Sequence, residues 1–174
     1  SGTGDWGSDA FNNNPLCLGS GECVDSVIVS LPFFHSSTLD ESMGDDWSFQ
    51  NYPHGADYAY QITLPTQKNL YVDTCDPITD FDTILSIKDE CGNEVSLTEF
   101  DDGTEDFCPE ASVDPPYFAS IIDSITLSAG TYYIVVDGYG GVIGNYKIAI
   151  GTLPEIIGSD IASDDSYLDI YFSE

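Results

Sequence analysis

Arginine is absent from this 174-residue chain, and lysine occurs three times, at Lys68, Lys88 and Lys147, against 31 Asp plus Glu. The formal net charge is -28. Nucleic acids and anionic membranes are held by Lys/Arg clusters that replace phosphate counterions, so this balance argues against both as partners. Phosphoryl transfer, which clamps developing charge with cations, is disfavoured for the same reason. No run of 18 apolar residues occurs, so neither a membrane-spanning helix nor membrane insertion is expected. The chain opens on Ser1 rather than Met and shows no signal peptide, which reads as a processed, mature protein. Histidine is nearly as scarce, with only His35 and His54. No Gly-x-Ser-x-Gly elbow, His-Glu-x-x-His or Cys-Gly-Ser-Cys signature is present, and no Asn-x-Ser/Thr acceptor. Loop histidines and solvated acids therefore account for the potential acid–base groups better than an enzyme does. A paired-carboxylate glycosidase has only the number of acids in its favour.

What is present is a hydrophobic fraction of 41%, with 11 Tyr, 9 Phe and 2 Trp, enough to bury a core despite self-repulsion. Val, Ile, Tyr, Phe and Thr predominate over Ala-Leu-Lys-Arg helix builders, which indicates an all-β protein. Five cysteines in a small acidic chain point to an oxidising, extracellular or cell-surface setting. Residues 1–22 read as a Gly/Ser/Asp/Asn-rich N-terminal arm. Short β-branched or aromatic runs follow: VDSVIVSLPFF from Val24, ADYAYQITLP, KNLYVDTC, DTILSIKDE, EVSLTEF, SIIDSITLS, GTYYIVVDGY and GNYKIAIGTLP. Each is bounded by Gly, Pro, Asp or Asn. That spacing predicts an antiparallel β-sandwich or barrel rather than a parallel α/β sheet, and residues 152–174 add a strand-forming extension. A polar, acidic stretch, HSSTLDESMGDDWSFQNYPHG, separates the first two runs. In AGTYYIVVDGY, Tyr132, Ile134 and Val136 share one face and Tyr133 and Val135 the other, as in a central strand, with Asp137-Gly138 as the turn signal.

The order GADYAYQITLP, YVDTCDPITDFDTILSI, Cys-Gly, FDDG and LSAGTYYIVVDGYGGVIGNYKIAI resembles the bacterial pre-peptidase C-terminal (PPC-like) domain family. Cys23-Val-Asp-Ser-Val and Leu31-Pro-Phe are similar to its opening strand. The resemblance covers roughly residues 23–151. It implies a jelly-roll-like β-sandwich that is secreted, non-catalytic and often attached to enzymes or surface proteins. It also implies a Cys75–Cys91 bridge. Phe100 stands where similar sequences often carry a further cysteine, so Cys108 is left free, or bonded to the arm or to another chain. The alternative pairing is Cys91–Cys108 with Cys75 free. Cys17 and Cys23 are close enough in sequence to close a small loop.

Carboxylates gather in two segments that the fold should bring to one end: Asp80 and Asp82, then Asp101, Asp102, Glu105 and Asp106. With three lysines to neutralise them, Ca2+ is the cation this oxygen-rich set suits. Asp45-Asp46 and Asp164-Asp165 are weaker candidates for the same ion. The competing reading makes Asp82 a turn cap and Asp101-Asp102 a solvated turn. In the extension, Tyr167, Asp169 and Tyr171 alternate with Leu168, Ile170 and Phe172. This strand either folds back as an edge of its own sandwich or pairs with a neighbouring copy, giving homo-oligomers or filaments. Two functions follow from these readings. One is a non-catalytic structural or adhesive protein that assembles through exchanged terminal strands (self-assembly: Tyr167, Leu168, Ile170, Phe172). The other is an accessory module contacting carbohydrate or matrix protein, with Trp47, Tyr52, Tyr58, Tyr117, Tyr139 and Tyr146 as stacking candidates.

Overall fold

The computed structural model describes residues 24–47, 55–89, 108, 112 and 118–154, and the backbone of 156–161 and 168–172. Its strands are β1 (Ser26–Ile28), β2 (Phe33–Leu39), β3 (Asp57–Leu64), β4 (Lys68–Asp73), β5 (Thr83–Lys88), β6 (Ile121–Leu127), β7 (Gly130–Gly138), β8 (Gly144–Thr152), β9 (Ile156–Ile161) and β10 (Leu168–Phe172). Two four-stranded sheets form, in the orders β1-β3-β7-β5 and β2-β8-β4-β6. All pairings within them are antiparallel except that of β1 with β3. The expected all-β sandwich is what forms.

Period-two alternation puts one face of each sheet into a shared core. Tyr60 and Ile62 of β3, Leu85 and Ile87 of β5, and Ile134 and Val136 of β7 meet Leu70 and Val72 of β4, Ile122 of β6, and Tyr146, Ile148 and Ile150 of β8. Each large apolar side chain buried this way contributes about 1.5–3 kcal/mol. β7 is central, as its doubly apolar pattern requires. Its second face carries Tyr133 and Val135, which pack with Ala59, Ile84 and Trp47 in a smaller apolar cluster outside the first sheet. The Trp47 and Tyr133 rings stack at 5.0 Å between centroids.

Two local expectations are corrected. Asp137-Gly138 is not the turn: β7 continues through both residues, and a 3-10 turn follows at Tyr139–Gly141. Gly140, at φ 66, supplies the left-handed backbone that this turn demands. HSSTL, read as part of a polar connector, is most of β2. Its seven residues pair along β8 from Phe33↔Ile150 to Leu39↔Gly144, and that pairing outweighs the weak strand propensity of Ser.

β10 pairs antiparallel with β9 of its own chain, Leu168 opposite Ile161 and Ile170 opposite Ser159. The pair forms a separate two-stranded sheet, so β10 joins neither sandwich sheet as an edge. Six residues separate the two strands, and so short a connection favours local pairing over a distant sheet edge. Tyr167, like residues 1–23, lies outside the described residues.

One end of the sandwich is fastened by neutral hydroxyls. Thr74, Thr83 and Ser120 are fully buried. The Ser120 N–H donates to Thr74 Oγ1 (2.9 Å) and Thr83 Oγ1 (3.0 Å), and the two threonine hydroxyls share a 2.8 Å hydrogen bond. Beside them Cys75 is disulfide-bonded to Cys108, with Cα atoms 4.7 Å apart. The expected Cys75–Cys91 pairing is thereby corrected, and so is an unpaired or intermolecular Cys108. The Thr74 N–H donates to the Ser120 carbonyl (3.0 Å), which joins the end of β4 to the approach to β6. Cys108, fully buried with Ala119, is brought against Cys75 there. Cys17, Cys23 and Cys91 lie outside the described residues.

Candidate metal centre

Antiparallel pairing of β3 with β7 sets Asp57 directly opposite Asp137. Both are buried, at 2% and 0% exposure, on the side of the first sheet that faces away from the main core. Asp45, in the exposed segment before Trp47, completes the group: one carboxylate oxygen each of Asp45, Asp57 and Asp137 lie within 4.8 Å of one another.

Each buried carboxylate is tied to backbone. Asp57 Oδ2 accepts the N–H groups of Asp46 (2.8 Å) and Trp47 (2.7 Å), while the Asp57 N–H donates to the Gly44 carbonyl (3.0 Å). Asp137 Oδ1 accepts the N–H groups of Gly55 (3.0 Å) and Gly138 (2.5 Å). Glycine is needed at position 55 because a Cβ there would come within 2.7 Å of the Gly141 Cα, so the 139–141 turn could not lie so close. Burial pushes the Asp57 carboxyl up to about 8, and the nearby Asp137 charge adds to this against the two backbone donors. Burial also raises Asp46, with Asp25 and Asp45 adding repulsion.

Three carboxylates at this spacing are hard oxygen donors, the chemistry that Ca2+ accepts. A proton on Asp57 and a bound cation are alternative remedies for the same repulsion. Asp45 figured in the sequence as a weaker candidate. Asp57 and Asp137 did not, because they stand 80 residues apart, one opening and the other near the close of a run that reads as ordinary strand. The available signal was an aspartate flanked by strand residues in both GADYAYQ and IVVDGYG.

Of the metal ligands expected from sequence, the exposed Asp80 is engaged by Asn145, whose backbone N–H and side-chain amide donate to its two oxygens at 2.7 and 2.9 Å. Asp82 sits half-buried before β5, its carbonyl accepting the Tyr139 N–H (3.0 Å). Asp101 and Asp102, together with Glu105, Asp106, Asp164 and Asp165, lie outside the described residues.

His35 faces the sandwich core from β2 and is half-buried. Its Nδ1 is 2.8 Å from the Tyr60 hydroxyl, which is 2.8 Å from that of Tyr146. Tyr58, Phe33 and Tyr60 surround its ring. His54 lies outside the described residues. The stacking candidates divide. Trp47 (5% exposed) and Tyr146 (0%) are core residues, which removes them as sugar-stacking surfaces, whereas Tyr139 (41%) is exposed. Tyr58 is half-buried, and Tyr52 and Tyr117 lie outside the described residues.

No protein-family model matches the chain, and no curated protein matches it. Among solved structures, it is similar to the pre-peptidase C-terminal domain of collagenase from Bacillus anthracis. The two share 12% identity at a TM-score of 0.47, over 73% of this chain and 95% of that domain. This is the family whose landmarks the sequence resembles. The likeness assigns no activity, ligand or partner to this chain. Among the described residues, no helix is long and apolar enough to cross a membrane.

Proposed function

We propose that this chain is a non-catalytic, extracellular accessory module, a disulfide-fastened β-sandwich that contacts a partner for a larger secreted protein and takes Ca2+ at Asp45, Asp57 and Asp137. The observation that carries this reading is how the reactive side chains are used. Asp57 and Asp137 hold four backbone N–H groups between them, and His35 bonds to a core tyrosine. These groups fasten loops and sheets together. The resemblance to PPC-like sequences supplies the extracellular and accessory parts of the reading. Assembly by exchange of β10 gains no support from its pairing with β9.

The test is to assay the purified chain against peptide, ester and glycoside substrates, with and without Ca2+, and to follow Ca2+ binding by calorimetry in the wild type and in Asp57→Asn. No turnover is expected, together with Ca2+ binding that Asp57→Asn weakens. Turnover abolished by His35→Phe would overturn the non-catalytic reading, and Ca2+ binding indifferent to Asp57→Asn would overturn the assignment of the ion.

A further inference from the structure

The four outer strands of the two sheets differ in how their edges are protected. β1 is three residues long. β5 is buried along all six of its residues. β6 carries the exposed Asp123, and its partner β4 shifts register between Leu70 and Val72. β2 has none of these features. It is seven residues long, FFHSSTL, without Asp, Glu, Lys, Arg or Pro, and keeps an unbroken register with β8. Among the described residues no strand pairs with its other side. Natural proteins blunt sheet edges with charge, proline, bulges or brevity, because a bare edge is a template for another strand. In a chain with 31 acids, this edge is the place where charge has been left out.

Burial along β2 points the same way. Phe33, His35 and Ser37 alternate toward the core yet are only half-buried, while Leu39 at the strand's end is fully buried. Phe33 and Tyr58 pack on the core and also stay half-buried. Inward-facing residues with half their cover are what a sheet shows where a next strand is missing.

The surrounding charge selects the occupant. Asp40 and Glu41 follow β2 directly. Asp25 is held on β3 beside Tyr58, its Oδ2 accepting the Ala59 N–H (2.8 Å). No Lys or Arg occurs between residues 24 and 67. A second copy would bring its own charge of -28, whereas a cationic segment would be drawn in.

We propose that the outer edge of β2 accepts an extended segment of a basic partner protein as an added strand. Apolar residues at alternate positions of that segment cover Phe33, His35 and Tyr58, and flanking Lys or Arg meet Asp25, Asp40 and Glu41. The inference rests on the reading of the chain as a non-catalytic binding module and names its partner class.

The experiment titrates the full chain, by fluorescence anisotropy, with a labelled peptide, Lys-Val-Thr-Val-Thr-Val-Thr-Val-Lys. Parallel titrations use a version with Glu at both ends and a version N-methylated at alternate residues. The lysine peptide is expected to bind and to protect β2 amides from exchange. Both altered peptides bind roughly tenfold weaker or worse. Ser36→Lys, at an exposed position of β2, weakens binding by a similar factor and keeps the wild-type melting curve, while Ser124→Lys on β6 leaves binding unchanged. Equal binding of the Glu-ended peptide overturns the proposal, as does indifference to Ser36→Lys. Sedimentation showing a dimer that Ser36→Lys disperses also overturns it, because the edge then takes a second copy. Catalytic turnover would sink the binding-module reading without altering these titrations, so the two failures are distinguishable.

Discussion

Two buried polar clusters stand at the same end of the sandwich, since Asp57↔Asp137 and Thr83↔Gly138 are neighbouring pairs along β7. One is built from carboxylates, the other from the hydroxyls of Thr74, Thr83 and Ser120. Both satisfy backbone N–H groups that would otherwise be stranded. A hydroxyl does this at any ordinary pH. A carboxylate pair does it conditionally, because ionising both members in a dry site is costly unless a proton or cation intervenes. The same architectural task is thus performed once unconditionally and once in a way that reports on the surroundings.

The contrast breaks most visibly under truncation. Asp57→Ala strands the N–H groups of Asp46 and Trp47 and is expected to cost about 2–5 kcal/mol in denaturant unfolding, with Trp47 fluorescence shifting to the red. Thr83→Val, which removes one hydroxyl from a set with internal substitutes, costs about 1–3 kcal/mol. Equal costs would erase the distinction. Next in size is the disulfide beside the hydroxyls. Reducing Cys75–Cys108, or replacing both residues by Ala, is expected to lower stability by about 2–4 kcal/mol by freeing a loop with a sequence separation of 33. That loss should not vary with Ca2+.

The most discriminating effect is in pH. With chelator present, Asp57 binds its proton up to about 8 in the folded state, against 3.8 ordinarily. Across that window the folded chain holds a proton that the unfolded chain has released. Stability is therefore highest at the acid side, falls as pH rises toward 8, and flattens above it. Ca2+ should oppose the fall by stabilising the ionised pair. At a hundredfold excess over its dissociation constant it adds about 2.7 kcal/mol. Asp57→Asn should flatten the pH slope and remove the Ca2+ response in melting curves, while Thr83→Val keeps both.

The strands were legible where alternation was strong, and β7 was readable up to Val136 because both its faces are apolar, its last two residues being taken for a turn. β2 was missed because its outward residues, Ser36 and Thr38, look like loop and its inward ones are mixed. The carboxylate pair was missed because register across a sheet joins residues far apart in sequence, and no local pattern records which aspartate another will face. The cysteine partner failed for a related reason: the resemblance to PPC-like sequences implied Cys91, whereas the approach of Ser120 to Thr74 delivers Cys108. Trp47 and Tyr146 seemed available for stacking because aromatic residues in polar stretches resemble surface ones until the neighbouring strand is placed.

The sealed Tyr60–Tyr146 hydroxyl pair makes the molecule's own ultraviolet absorbance a gauge of integrity. Burial, foremost, pushes both phenols well above the ordinary tyrosine range. As alkali is added, outlying phenolates develop their colour first, and these two contribute only when the layers part. A late step in the spectrum therefore marks separation of the two sheets, with no label attached.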